Sequence, residues 1–335
     1  MMQKFFTASL PQLAAVFAMH HVQLEIVVTE GGRIFFPDGD SDEDEEGDLG
    51  ESQQFSAEYF ELLSPVLTKL TLWINGDIHI EDMQWLCSMQ KLQHLDLRGG
   101  SQAEGYQVVL SGPTQLSLSA LKVLRLEDFS SVPDWHLECP SLEALHLREI
   151  QGLRMPTGLG SCSRLTTLDV PAPLDPALVG VVASLVAAVK SVHATLEILD
   201  VSGWAPGVLE LISTLPRLHT LVAQRMGLTA VSALPATLKS LDLRANEFTE
   251  VPVQLESLTQ LTSLALSSKR SSANLQIQRP LDAIISLPQL QELTLVHDFR
   301  SHRPASTRWN AQSLYYLGLA KYEIARSKSS LLLKF

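Results

Sequence analysis

His94, Asp96 and Arg98 stand two residues apart, as do Arg125 and Glu127, and His146 and Arg148. A period of two places each set on one face of an extended strand. Guanidinium groups set among carboxylates and imidazoles, with the indole of Trp73 beside them, suit recognition of another protein, since arginine and tryptophan dominate the energetics of binding surfaces. The candidate binding residues are therefore Trp73, His94, Asp96, Arg98, Arg125, Glu127, His146 and Arg148. The same residue types permit a second reading, in which Asp96 and Glu127 pair with the arginines and the face satisfies itself.

Bond-making chemistry finds less support. No G-x-x-x-x-G-K-[ST] is present to cradle phosphates, and GLGSCSR at 158–164 lacks the second glycine of a hydrolase nucleophile turn. His20 and His21 have no spaced partner for a metal, and Cys87, Cys139 and Cys162 are too scattered for a paired metal site or a disulfide framework. The cysteines read as small apolar core residues. DEDEEG at 42–47 opens like a calcium loop, but the twelfth position is Gln53 rather than Glu. No catalytic residue, cofactor site or metal site is assigned, and the chain is expected not to be an enzyme.

Charge narrows the partner class. The formal charge of −12 is uneven: residues 1–66 carry thirteen Asp or Glu against Lys4 and Arg33, a balance of −11, which leaves −1 for the remainder. No basic face exists to neutralise phosphates, so nucleic acid is not an expected ligand. The run ALVGVVASLVAAV at 177–189 is shorter than the roughly 20 residues a bilayer requires, so no membrane span is expected. The opening MMQKFFTASLPQLAAVFAM reads as an amphipathic helix over residues 8–19 rather than a signal peptide. Polar residues interrupt its apolar run and no small-x-small site follows. None of the four asparagines lies in a glycosylation acceptor, and the expected location is intracellular, in the cytoplasm or nucleus.

The elements that position the candidate residues come from a repeat. The skeleton L-x-x-L-x-L starts at 67, 92, 121, 142, 165, 196, 218, 238, 261, 290 and 314, about 25 residues apart. Positions 4 and 6 point inward from a short strand, position 1 packs at the turn into it, and positions 3, 5 and 7 point outward. No repeat buries its apolar face alone, so neighbours must stack into one core. The copy at 238, LKSLDLRANEFTEVPVQLESLTQ, extends the match with an Asn at position 9 and a following V-P-x-x-L-x-x-L. The chain resembles the leucine-rich repeat superfamily, of an irregular intracellular type. That resemblance implies an α/β solenoid, a horseshoe of about eleven repeats with a parallel concave sheet and a mixed helix and loop convex side. It implies an Asn ladder too, but only Asn75 and Asn246 occupy position 9, so the other turns must satisfy their backbone groups by other means.

Leu178, Val181, Val182, Leu185, Val186 and Val189 follow a helical period and predict an amphipathic helix in the longest repeat. Residues 1–66 are expected to form an N-terminal cap. It comprises the first helix, a hairpin of VQLEIVV and RIFF around TEGG, an acidic solvated loop at 37–54, and a helix over 55–67. The repeats then occupy 67–320, with a closing tail at 321–335. Function is expected on the concave face, as a non-enzymatic scaffold that binds a protein or peptide partner. The alternative is substrate recognition for a ubiquitin ligase of the F-box type, acting through a ligase adaptor, although no F-box pattern is evident in residues 1–66.

Overall fold

The structure, a computed structural model, describes residues 22–29, 33–35, 53–54, 63–74, 78–80, 83–100, 108–112, 114–151, 153–172, 179–231, 233–248, 251–268, 284, 287–297 and 332–334. They fall into two compact units, Met1–Asp169 with Pro173–Thr195, and Val170–Ala172 with Leu196–Phe335.

The first unit contains β1 (Val22–Thr29), β2 (Arg33–Phe35), β3 (Gln53–Gln54), β4 (Leu67–Ile74), β5 (Ile78–Ile80), β6 (His94–Gly99), β7 (Val108–Leu110), β8 (Gln115–Leu116), β9 (Val123–Phe129), β10 (His136–Leu137), β11 (Ala144–Ile150) and β12 (Thr167–Asp169), followed by helix α1 (Val179–Ser191). Hydrogen-bonded neighbours run β12-β11-β9-β6-β4-β1-β2-β3. From β12 to β1 every pairing is parallel, while β1, β2 and β3 are antiparallel. The second unit contains β13 (Ile198–Asp200), helix α2 (Val208–Ile212), β14 (Thr220–Val222), β15 (Ser240–Leu243), β16 (Ser263–Ser268), β17 (Glu292–His297) and β18 (Leu332–Lys334). Its strands pair in parallel in chain order. Among the described residues, ten of the eleven L-x-x-L-x-L copies therefore sit on parallel strands, five in each unit.

The repeat explains the core. Position-1 leucines from Leu67 to Leu290 are at most 2% exposed, and the described residues at positions 4 and 6, from Leu70 and Leu72 to Leu293, are buried. Each fully buried leucine contributes about 2 kcal/mol of transfer free energy, and parallel in-register stacking shares that burial between coils. A further buried residue precedes most repeats by three positions: Met89, Leu118, Cys139, Cys162, Leu215, Pro235, Leu258 and Leu287. In seven of these cases its carbonyl accepts from the position-1 N–H, closing a turn ahead of the strand. Cys139 and Cys162 are thus core residues, as their type suggested, whereas Cys87 is half-exposed.

Position 8 is where each coil leaves its strand. Asp128, Glu149, Arg225 and Ala245 all occupy it with φ between 52° and 64°, and Gly203 occupies it at φ 79°. A left-handed side-chain-bearing residue costs about 1 kcal/mol, so its recurrence in four repeats shows that the turn of those repeats demands it, whereas Ile74 and Ala172 hold position 8 without it. Gly99 holds the same place for lack of space, since a Cβ there would meet the Asp128 carbonyl oxygen at 1.9 Å.

Position 9 then turns inward. Asn246 behaves as the resemblance implied: its Oδ1 accepts from the N–H groups of Met226 and Leu228, and its Nδ2 donates to the carbonyls of Ala223 and Leu243. In four of the repeats without the Asn, a large buried side chain replaces it, Phe129, Ile150, Trp204 or Met226, whereas the repeat at 92 has Gly100 there. At Phe129 and Ile150 the strands continue through the turn, with Gln151 N–H donating to the Phe129 carbonyl, so the ladder satisfies the backbone. At Trp204 the indole N–H takes over the role of the amide. Asn75 lies outside the described residues.

Several expectations meet the structure only in part. The hairpin forms as β1 and β2, but β1 also pairs with β4, so the sheet extends one strand ahead of the first repeat. Gln53 and Gln54, placed in the acidic loop by their composition, form β3, and Leu67, placed at the end of a helix, opens β4. The rest of that loop, the helix over 8–19 and most of 55–67 lie outside the described residues. Beside β17, where the copy at 314 was expected, stands Leu332–Lys334, and the 314 copy itself is outside the described residues. Helix α1 forms in the longest repeat, with its buried stripe on Leu185, Ala188, Val189 and, just beyond it, Val192. Val182 and Val186 are half-buried. The helix lies against the 3₁₀ turn Leu159–Ser161, and with Ala188 in the buried stripe that stripe is rotated from the purely valine and leucine one.

Candidate functional site

Register converts the outward positions of the first unit into rows. Thr71, Asp96, Arg125, His146 and Asp169 stand side by side across β4, β6, β9, β11 and β12. Trp73, Arg98, Glu127 and Arg148 form the next row, and Lys69, His94, Val123, Ala144 and Thr167 the third. Neighbours in a row are about 4.8 Å apart. All eight residues singled out by type and spacing therefore share one sheet face.

On that face they resolve into two clusters. The Arg98 guanidinium lies 4.4 Å from the Trp73 ring centroid and donates from Nε and Nη2 to both oxygens of Asp96, at 3.0 and 2.8 Å. Glu127 Oε2 is 3.8 Å from the same Nε. Stacking and pairing together fix a long cationic side chain that would otherwise sample many rotamers, at a gain of about 1 kcal/mol each. The motif behind it, L-D-L-R at 95–98, recurs at 241–244, and Arg244 there also folds onto both oxygens of Asp242. Two outward positions of one strand lie close enough for this pair to form without help from neighbouring strands.

The second cluster is built on Asp169. Its Oδ2 accepts from Arg148 Nε at 2.7 Å, Arg148 Nη2 at 2.6 Å and His146 Nδ1 at 2.9 Å. Asp169 is only 5% exposed, and its other oxygen is buried without a hydrogen bond. Burial pushes its carboxyl upward, but the hydrogen bonds from His146 and Arg148 and the Arg148 charge outweigh that and hold it below the ordinary aspartate range. The carboxylate contact assigns the proton on His146 to Nδ1, and Nε2 makes no hydrogen bond among the described residues. Type and spacing did not mark Asp169 as a site residue. The signal was present, since it is the position-5 Asp of LTTLDV, but Pro171 occupies position 7, so no arginine on its own strand advertised it.

Arg125 stands apart. It is half-buried and, among the described residues, makes no hydrogen bond or ion pair. Asp96, its neighbour in the row, is held bidentate by Arg98, and Glu127, two places along its own strand, is near Arg98 as well. Lys69 and His94 are exposed and likewise form no such bond. The arrangement can hold and orient another molecule's polar groups. Among the described residues no group of three or more His, Cys, Asp or Glu is placed to hold a metal ion, and no helix is long and apolar enough to cross a membrane.

No family model matches the chain, and no curated protein matches it in sequence. Among solved structures it is similar to a leucine-rich repeat protein of Leptospira interrogans, at 15% identity over 84% of this chain and 86% of that one, with a TM-score of 0.30. The L-x-x-L-x-L repeat, the parallel strands that carry it and the leucines they bury fit the leucine-rich repeat superfamily.

Proposed function

We propose that the chain is a non-enzymatic interaction scaffold that binds a protein or peptide partner on the outward face of its repeat sheet, centred on β4, β6, β9 and β11. The observation that carries this reading is the gathering of Trp73, Arg98, Arg125, His146 and Arg148 onto one face of four adjacent strands. Four strands span roughly 15 Å across the sheet, and the strands add about 20 Å lengthwise, a footprint suited to a peptide or the edge of a folded domain. In the same reading the eleven repeats occupy 67–320, residues 1–66 cap them, residues 321–335 close the other end, and the protein acts inside the cell.

The structure redirects the test. Reversing Arg98 or Arg148 would strand Asp96 or the buried Asp169, and so confound binding with stability. Trp73→Ala, His94→Ala and Arg125→Ala together alter the face while sparing both carboxylate pairs. Proximity labelling in the native cell should then lose the partners recovered with the unaltered chain, with the melting temperature changed by only a few degrees. An unchanged labelling profile would refute the binding face. The same experiment bears on the ligase alternative, which requires ligase adaptor subunits among the labelled proteins.

A further inference from the structure

Resting on that reading, we infer that the partner is an acidic protein segment whose carboxylates are received by Arg125, flanked by Lys69 and His94. The inference comes from how the charges on this face are used. The face carries three carboxylates, Asp96, Glu127 and Asp169, among the outward positions of β4 to β12. Asp96 is occupied on both oxygens by Arg98, Glu127 is 3.8 Å from that same guanidinium, and one oxygen of Asp169 accepts three donors while the other is buried. The cations are not all used. Arg125 and Lys69, with the imidazole of His94, form no hydrogen bond or ion pair among the described residues. From β4 to β12 the residual donor capacity of the face is therefore cationic, and β1 beyond it places Glu25 in register with Thr71.

Geometry specifies the chemistry further. A guanidinium offers five N–H donors in a planar fork that matches a two-oxygen acid, so Arg125 is suited to a carboxylate held side-on. Arg125 lies in the position-5 row and Lys69 and His94 in the position-3 row, with β6 between β4 and β9. Two strand spacings and a two-residue step along the strand separate Arg125 from Lys69 by about 12 Å. An extended segment with acids at alternate residues repeats them about 6.8 Å apart, so acids four apart along such a segment span both cations. The Trp73 ring and the Arg98 guanidinium stacked on it stand together in the position-7 row and border this site.

The test uses a fluorescent peptide of alternating Glu and Ser, about twelve residues long, and its Gln–Ser counterpart, titrated with the full chain. The Glu–Ser peptide should bind, the Gln–Ser peptide about tenfold or more weakly, and binding should decline as salt rises to about 0.5 M. Arg125→Gln should weaken the Glu–Ser peptide about tenfold, whereas Arg244→Gln, on the second unit, should not. Equal affinity for the two peptides, no binding of either, or an Arg125→Gln chain that binds like the unaltered one would each overturn the inference. Displacement of the Glu–Ser peptide by poly-uridylate at equal charge with higher affinity would overturn the carboxylate assignment in favour of phosphate. If these results fail while the Trp73, His94 and Arg125 triple variant still loses its cellular partners, the binding face stands and only the acidic partner falls. If that variant keeps its partners, the face falls too.

Discussion

Trp204 donates its indole N–H to the Val170 carbonyl oxygen at 2.6 Å, reaching one repeat back to position 6. Asn246 makes the equivalent bond, from Nδ2 to the position-6 carbonyl of Ala223 at 2.7 Å. The two residues share no size or shape, only a donor placed at position 9. The irregular repeat thus keeps one hydrogen bond of the Asn ladder while exchanging the rest for apolar burial, since Trp204 is 4% exposed.

That equivalence separates bulk from donor. Trp204→Phe retains most of the apolar volume and removes the N–H, so it should cost about 1 kcal/mol, while Trp204→Ala opens a cavity and should cost about 4 kcal/mol. Asn246→Ala, which removes four hydrogen bonds at a buried site, should cost about 3 kcal/mol. Urea unfolding monitored by circular dichroism measures all three. A Trp204→Phe chain as stable as the original would show that Trp204 acts by volume alone.

Asp169 makes the first unit acid-sensitive. Its carboxyl titrates below the ordinary aspartate range in the folded chain, so the folded state binds its proton less readily than the unfolded state does. The stability it supplies is present above the unfolded value and is lost as pH falls through the folded one. Asp169→Asn, which leaves Arg148 and His146 without their shared acceptor, should therefore lower the melting temperature at pH 7 by an amount that shrinks steadily below about pH 4. A deficit that is constant across that range would mean that the pair contributes nothing through ionisation.

The leucines at positions 1, 4 and 6 were legible because burial there is a demand on residue type, and only large apolar side chains meet it. The outward residues were legible because period two is unambiguous once the strands are placed. Position 8 was not, since Asp128, Glu149, Arg225, Ala245 and Gly203 share a backbone angle and no chemistry. The buried residue three places before most position-1 leucines was legible only in part, because Met89, Cys139, Pro235 and Leu258 meet the same packing need in different ways. On the candidate face the chain order revealed which groups lie together, but not how they pair. Arg98 and Arg148, both at position 7, spend their donors on Asp96 and Asp169, while Arg125, the same residue type at position 5, does not. That difference follows from position: Arg98 and Arg148 each stand beside a position-5 Asp, on the same strand or the next, whereas Arg125 occupies position 5 itself. Of the two pairs, only Asp96–Arg98 is written within a single repeat.

Gly99 and Gly160 form a matched pair for testing the coil turn. A Cβ on Gly99 would meet the Asp128 carbonyl oxygen at 1.9 Å, a backbone atom that cannot swing aside, whereas the nearest atom to a Cβ on Gly160 is Ser191 Cβ at 3.8 Å. Gly99→Ala should destabilise by about 3 kcal/mol through forced separation of β6 and β9. Gly160→Ala should lie within about 0.5 kcal/mol of the original. Because β6 and β9 also carry Arg98 and Arg125, the Gly99→Ala chain should lose Glu–Ser peptide affinity as well, while Gly160→Ala keeps it.

The cysteines extend the packing argument to reactivity. Cys139 is fully buried, and burial pushes its thiol up to about 11; burial raises Cys162 and Cys87 as well, the last from a half-exposed position. A thiolate is the reactive form, so iodoacetamide at pH 8 should modify Cys87 in the folded chain and leave Cys139 and Cys162 protected by about a hundredfold until denaturant is added. Mass spectrometry of the digested chain reads each site. The Cys139 shift also carries a stability consequence: the folded state holds that proton more tightly than the unfolded one, so its contribution is complete below the ordinary thiol range and is lost as pH rises through about 11. Cys139→Ala should therefore flatten the alkaline limb of the melting curve relative to the original chain while costing about 1 kcal/mol at neutral pH. Equal labelling of all three cysteines in the folded chain would contradict the buried placement of Cys139 and Cys162 ahead of Leu142 and Leu165, and with it the turn those two residues close.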